Sequence, residues 1–148
     1  MQISSRFTVA LHIFTCAETF RDTQKVTSDF LAASIGTNPV IVRKILTQLK
    51  AADLITVARG TGGVSPARPL ERITFLDVYR AIEPVERGAL FHFHEHPSPA
   101  CPVGKNIHSL LDEKLQAIQD AMEREMAGYT LRGICNELRE KLKEEASI

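Results

Sequence analysis

Residues 38–63 read NPVIVRKILTQLKAADLITVARGTGG, and this stretch decides the fold of the chain. It opens with Asn38 and Pro39, a capping side chain followed by proline at the first helical position, where its missing N–H costs nothing. A helix is therefore predicted from here to about Asp53. Apolar side chains recur along it at helical spacing and form its predicted buried face: Ile41, Ile45, Leu46 and Leu49.

A strand, a turn and a second strand follow this helix. The β-branched run Leu54 to Ala58 is typical of a strand. Residues 59–63 contain three glycines and must turn the chain. Residues 64–68 can then return as the partner strand, so the sequence predicts a β-hairpin directly after the capped helix.

Two helices precede the stretch. A first helix is predicted to run to about Thr19, and Thr27–Asp29 can cap a short helix over residues 30–34 that ends at Gly36. The order helix, short helix, glycine turn, capped helix and hairpin is that of a winged helix-turn-helix. The predicted fold class is mainly α, with a two-stranded β-wing and a long dimerisation helix.

The C-terminal half is predicted to form three more helices. Residues 74–77 form a capping box for a helix that Pro84 closes. After an irregular connection, a long amphipathic helix is predicted over residues 104–127, with Gly128 at its end. Thr130 then caps a last helix.

The long helix carries an apolar stripe that predicts assembly. The stripe is too long for the C-terminal part to bury on its own, so a two-fold partner is expected to cover it. Its members are Ile107, Leu111, Leu115, Ile118 and Met122. The predicted organisation is a winged helix-turn-helix domain over residues 1–83, followed by a sensor loop and dimerisation helices over residues 84–148.

The charge of the chain is balanced overall but uneven along it. The 148 residues carry 18 Lys and Arg against 18 Asp and Glu. Residues 1–83 hold ten cations and seven anions, whereas residues 84–148 hold eight and eleven. Because the positive charge is concentrated in one half, nucleic acid is a candidate partner despite the neutral total.

The predicted winged motif places several of these cations where DNA would lie. Side chains off the apolar stripe face outward and can reach phosphates or base edges: Val40, Arg43, Lys44 and Thr47. In the wing, Arg59 can insert into a narrow minor groove beside its glycines. The alternative is a plain helical domain whose hairpin is only a hairpin, since helix-turn-helix signals are degenerate.

Four runs of the sequence resemble a known family. They are Leu49–Ile55, Val57–Gly63, Ala67–Pro69 and Ile73–Val78. The resemblance is to the Rrf2 (Rrf-two) family of bacterial winged-helix regulators, and it covers nearly the whole chain. The nearest subgroup is that of YwnA-like proteins, which share a Cys-Pro-Val-Gly with histidines ahead of it.

The resemblance implies a transcription repressor that binds double-stranded DNA at a pseudo-palindromic operator, as a homodimer paired through the long helix. It also implies a set of DNA-contacting residues: Ser5, Arg6, Ser28, Asn38, Pro39, Val40, Arg43, Lys44, Thr47, Arg59, Gly60, Thr61 and Gly62.

The connection before the long helix departs from the pattern of the family's cluster-binding members, which place three cysteines close together there. Residues 84–108 contain only Cys101, and Gly104 stands where a family ligand His can stand. Since a [2Fe–2S] cluster needs four protein ligands, neither an iron–sulfur cluster nor another cofactor is expected.

Cys101 is the candidate sensing residue. It is predicted just before a helix start, where unpaired N–H groups and the helix dipole favour a thiolate that oxidises readily. The alternative is a small half-buried side chain that fills a gap beside prolines. Cys16 and Cys135 fall on apolar helix faces and are predicted to be core residues.

Three histidines alternate just ahead of Cys101. If that segment is extended, His92, His94 and His96 share one face, and imidazoles on a face can bind zinc or nickel. Nearby prolines disfavour a regular strand, and a His-rich loop near a thiol could equally tune the pKa of that thiol. Whether the three bind a metal stays open.

Motifs of enzymes and of membrane proteins are absent from the sequence. It contains no GxSxG, P-loop or HExxH motif. No apolar run approaches the ~18 residues of a membrane span, and the N-terminus lacks the layout of a signal peptide. A cytoplasmic, non-enzymatic regulator is expected, and control by a small metabolite, metal or partner enzyme is the alternative to thiol oxidation.

Overall fold

The computed structural model describes residues 3–60, 62–83 and 90–148, and the chain is mainly helical there. In order, the elements are α1 (Ser5–Thr19), α2 (Ser28–Ile35), α3 (Pro39–Ala51), β1 (Ile55–Val57), β2 (Val64–Pro66), a 3-10 helix (Leu70–Arg72), α4 (Phe75–Ile82), α5 (Pro102–Ala127) and α6 (Leu131–Ala146). The predicted fold class is confirmed: helices with a two-stranded wing and long C-terminal helices. Thr61, a predicted DNA contact, and Pro84, which was predicted to close the fourth helix, lie outside the described residues.

The helix boundaries follow the capping signals in the sequence. The Asn38 side chain accepts a hydrogen bond from the backbone N–H of Val40 at 2.8 Å, and α3 starts between them. Thr27 caps α2, which therefore begins at Ser28, two residues earlier than predicted. A reciprocal capping box opens α4, as expected from its sequence. Side-chain caps thus satisfy backbone donors that a helix start leaves unpaired.

The wing is a short antiparallel hairpin. Ile55 pairs with Pro66 and Val57 pairs with Val64. The predicted strands were longer, but Ala58 already donates to a carbonyl within the turn. After β2 the chain enters the 3-10 helix, which was not predicted from the sequence.

The buried face of α3 differs from the prediction at one position. Ile45, Leu46 and Leu49 are buried as expected, but Val42 is buried with them and Ile41 is 43% exposed. The prediction for Ile41 was wrong because the buried face is the one formed by Val42, Ile45, Leu46 and Leu49, at i, i+3, i+4 and i+7. Ile41 lies about 100° around the helix from Val42, at the edge of that face.

Backbone hydrogen bonds at the α5–α6 connection join the C-terminal helices to the rest of the fold. The backbone of the α5–α6 connection forms a bridge in which Thr130 pairs with Thr74. Leu131 donates its N–H to the carbonyl of Ile73 at 2.9 Å, and its side chain is fully buried in the common core. The predicted domain division after residue 83 stays a prediction. Among the described residues, no helix has both the length and the apolarity that a bilayer crossing requires.

Candidate nucleic-acid interface

The outward face of α3 is polar and positively charged at its centre. Arg43, Lys44 and Thr47 are exposed, as the sequence predicted, while the opposite face is packed in the core. The Thr47 hydroxyl donates to the Arg43 carbonyl at 2.9 Å, which keeps it close to the helix. Lys44 has no ion-pair partner among the described residues. This face can therefore offer cations to phosphates or base edges.

Two side-chain contacts on the surface link α3 to its neighbours. The Arg43 guanidinium lies 3.6 Å from the Asp29 carboxylate on α2. The Arg6 guanidinium donates to the side-chain oxygen of Gln48, which ties α1 to α3. Arg6 was a candidate DNA contact, and the structure places it beside the recognition face of α3. Gln48 was missed, because its partner lies 42 residues away in sequence and only the fold brings them together.

The turn between α2 and α3 needs a glycine. Gly36 has φ of 78°, in the left-handed region, and donates its N–H to the Ala32 carbonyl at 2.9 Å. The turn sets the angle between the two helices of the motif. Ser28, another candidate contact, is the first residue of α2.

The wing carries one exposed cation next to its turn. Arg59 is exposed, and Gly60 and Gly62 both have positive φ, at 77° and 68°. These conformations are ones that glycine adopts without strain. The turn end of β2 is held in place, because the Val64 N–H donates to the Val26 carbonyl at 2.9 Å. Arg59 is thus presented on a short, anchored hairpin.

Cys101 is the N-cap residue of α5 and is exposed. The backbone N–H groups of Gly104 and then Val103, at the start of α5, lower the pKa of the thiol, although the side chain makes no capping hydrogen bond. Cys101 therefore lies at the start of a helix, as the sequence predicted. Cys16 and Cys135 are buried core residues, as predicted, and burial raises the pKa of the Cys135 thiol.

The local packing requires a glycine at position 104. A Cβ at this position would lie 2.5 Å from the carbonyl oxygen of Ser98. The Cys101 N–H donates to the same carbonyl at 3.2 Å, so the turn before α5 folds closely over the start of the helix. The glycine at the position of a family ligand His is what permits this approach.

The histidine segment is folded against α5 and is not an extended strand. The Phe93 ring stacks on His108 with centroids 4.5 Å apart, and a ring nitrogen of His108 lies 3.3 Å from the His94 carbonyl oxygen. His92 and His96 are exposed. Within residues 3–60, 62–83 and 90–148, no group of three or more His, Cys, Asp or Glu could hold a metal ion. Metal binding by these histidines stays an open prediction.

The predicted dimer stripe is only partly covered by its own chain. Ile118 is 54% exposed, and Ile107, Leu111 and Leu115 are half-buried. Met122 packs against the core of its own chain instead. The stretch of α5 from Ile107 to Ile118 therefore presents an apolar surface to solvent.

An ion-pair network that was not predicted from the sequence joins the two halves. Arg132 on α6 lies 2.9 Å from Glu18 on α1 and 2.9 Å from Glu71 on the 3-10 helix. The residues are far apart in sequence, and no local spacing signals the contact. With the Thr74–Thr130 bridge, it connects the long helices to the segment just after the wing.

Known proteins resemble this chain over most of its length. A family model described as Rrf2, iron-dependent transcriptional regulator, matches residues 3–137. The chain is 41% identical over 136 residues to YwnA of Bacillus subtilis, named as an HTH-type transcriptional regulator, covering 92% of this chain and 98% of that protein.

Solved structures agree with the sequence matches. One, described as a DNA binding protein, is 36% identical, has a TM-score of 0.70, and covers 88% of this chain and 98% of its own. A transcriptional regulator from Lactobacillus plantarum is 25% identical, has a TM-score of 0.76, and covers 97% of both chains.

Proposed function

This chain belongs to the Rrf2 family of DNA-binding transcriptional regulators and is not an enzyme, and from this we propose that it is a repressor. A homodimer binds a pseudo-palindromic operator through α3 and the wing. The single observation that carries the proposal is the outward cationic face of α3 beside the anchored wing with its exposed Arg59.

The proposed contacts divide by groove. The N-terminal part of α3 enters the major groove, where Arg43 and Lys44 reach base edges or phosphates. Arg59 enters the adjacent minor groove, whose narrow form attracts arginine. The other proposed DNA contacts lie around these: Ser5, Arg6, Ser28, Asn38, Pro39, Val40, Thr47, Gly60, Thr61 and Gly62.

The proposed dimer forms through α5. Its apolar stripe leaves Ile118 more than half exposed in the single chain, and a second copy packed about a two-fold axis would cover it. Two recognition helices then meet half-sites about 34–36 Å apart, one turn of duplex. The operator is accordingly an imperfect palindrome.

The proposed signal is oxidation of Cys101. Its exposed thiol, with a pKa lowered by the α5 N–H groups, supports attack of the thiolate sulfur on hydrogen peroxide. The S–O bond forms as the peroxide O–O bond breaks, hydroxide leaves, and the sulfur is oxidised to a sulfenic acid. The added oxygen at the head of α5 would shift that helix. The Thr74–Thr130 bridge and the Arg132 ion pairs would pass the shift toward the wing.

The donor set around Cys101 does not fit an iron–sulfur cluster, although the family's description names iron. Cys101 is the single cysteine between residues 84 and 108, and the two other thiols are buried in helices. A [2Fe–2S] cluster takes four protein ligands. We therefore propose that sensing proceeds without a cluster.

The test is genomic footprinting with and without peroxide, followed by binding assays on the protected duplex. Lys44→Ala is expected to weaken binding several-fold, whereas Lys141→Ala on α6 leaves it unchanged. Peroxide is expected to release the wild-type protein from DNA but to leave Cys101→Ser bound. Release by a small metabolite or metal ion, with no effect of oxidant, would instead favour the alternative signal.

A further inference from the structure

The first turn of α3 is an exposed apolar surface. Val40 is 50% exposed and Ile41 is 43% exposed, whereas the other branched apolar side chains of α3 are buried. Pro39 precedes them and is itself apolar. The N-terminal tip of a recognition helix is the part that meets base edges in this motif.

This tip offers no backbone donor to a phosphate. Pro39 has no N–H, the Val40 N–H is bound to the Asn38 side chain at 2.8 Å, and the Ile41 N–H is bound to the Asn38 carbonyl at 3.0 Å. The Val42 N–H is bound to the same carbonyl at 3.3 Å. At Pro39, Val40 and Ile41, recognition of DNA therefore falls to the apolar side chains.

The charge around the tip matches DNA. Arg43 and Lys44 follow it on the same helix, and Arg6 reaches α3 from α1. Two arginines and a lysine complement a phosphate backbone on either side of a groove. The apolar feature that base pairs present in the major groove is the 5-methyl group of thymine.

We propose that Val40 and Ile41 read thymine methyl groups in each operator half-site, and so determine part of the sequence specificity. The inference rests on the proposed role of α3 as the recognition helix. The branched side chains pack on the methyl groups, while Arg43 and Lys44 hold the helix in register. Thymine is thereby preferred over cytosine or uracil at the facing positions.

The experiment replaces thymines by deoxyuridine, one at a time, in the duplex that the wild-type protein protects. This change removes only the methyl group and keeps every hydrogen-bonding group. One or two positions per half-site are expected to lose affinity about fourfold, the value of burying one methyl-sized group. Val40→Ala and Ile41→Ala are expected to bind the thymine duplex more weakly than wild type does. Replacing thymine by uracil should then lower the affinity of these variants only slightly further.

Leu142→Ala is the matched control, since Leu142 is similarly exposed at 46% but lies on α6. It should bind like wild type and keep the full uracil effect. If no uracil substitution changes the affinity of the wild-type protein, the inference is wrong although the protein still binds DNA. The inference is also wrong if uracil lowers the affinity of both tip variants as much as it lowers that of wild type. The wild-type uracil scan does not depend on how well a variant folds.

Failure of thymine recognition and failure of DNA binding give different results. If the tip variants change the sedimentation coefficient and leave the uracil effect intact, the tip is an interface between copies and the inference is wrong. If the wild-type protein protects no duplex at all, the proposed function itself fails.

Discussion

The Glu18 carboxylate lies 2.9 Å from the Arg132 guanidinium, which joins the first helix of the chain to the last. The Glu18 side chain is only 11% exposed, and that of Arg132 is 27% exposed. The pair is therefore partly shielded from solvent, and it belongs to a network in which Arg132 also pairs with Glu71 and Glu18 with Arg21.

Arg132→Ala should lower the free energy of unfolding by about 1–3 kcal/mol, because it leaves the shielded Glu18 carboxylate with only the more distant Arg21, at 3.5 Å, as its partner. Urea denaturation followed by circular dichroism measures the change. The control is Arg80→Ala: Arg80 pairs with Glu123 at 3.6 Å, but its side chain is 62% exposed. That variant should stay within about 0.5 kcal/mol of wild type. Equal losses in the two variants would refute the structural role of the buried pair.

Gly104→Ala should destabilise the start of α5, because the new Cβ would lie 2.5 Å from the Ser98 carbonyl oxygen. The expected loss is about 1–3 kcal/mol, as for other overpacked sites. At Gly133 in α6, an added Cβ would lie 3.6 Å from the Thr130 hydroxyl oxygen, an ordinary contact. Gly133→Ala should therefore gain roughly 0.5 kcal/mol from helix propensity. Thermal melts of both variants measure the two changes, and the same sign at both sites would contradict the geometry.

Alkylation by iodoacetamide should label Cys101 ahead of Cys135. The rate follows the thiolate fraction, which rises with pH through the pKa of each thiol. Since the pKa of Cys101 is lowered by the N–H groups of Gly104 and Val103, its labelling profile should be displaced to lower pH. Burial raises the pKa of Cys135 and shifts its profile the other way. Mass spectrometry across a pH series measures both, and Cys101→Ser should abolish the fast phase.

Arg59→Ala should weaken operator binding by about 1–3 kcal/mol if the side chain enters a narrow minor groove. The hairpin should survive, since Arg59 is exposed. Fluorescence anisotropy on the protected duplex gives the affinity, and circular dichroism checks the fold. Lys141→Ala serves as a control for the loss of one distant positive charge. An intact variant with wild-type affinity would remove Arg59 from the interface.

Ile118→Asp should convert the proposed dimer to a monomer. Ile118 is 54% exposed in the single chain, so an aspartate costs the monomer little but places an unpaired charge in the interface. Sedimentation velocity at micromolar concentration reports the state. Leu142→Asp, on a similarly exposed residue of α6, should leave the dimer intact. A monomeric wild-type protein, or a footprint on one asymmetric half-site, would argue against the dimer.

Local signals in the sequence determined the order of elements and most helix ends. Asn38, Thr74 and Thr130 each cap a helix through a hydrogen bond to a backbone N–H two or three residues ahead. Such a contact spans so few residues that the sequence contains all of it. The same holds for the exposed cations of α3, whose spacing follows the helical period.

The burial of Val42 in place of Ile41 was also within reach of the sequence, because Val42, Ile45, Leu46 and Leu49 have the i, i+3, i+4, i+7 spacing of one helix face. Tertiary structure alone decided the side-chain pairs that are distant in sequence. Glu18 and Arg132 stand 114 residues apart, so their contact depends on how whole helices pack and not on any nearby residue.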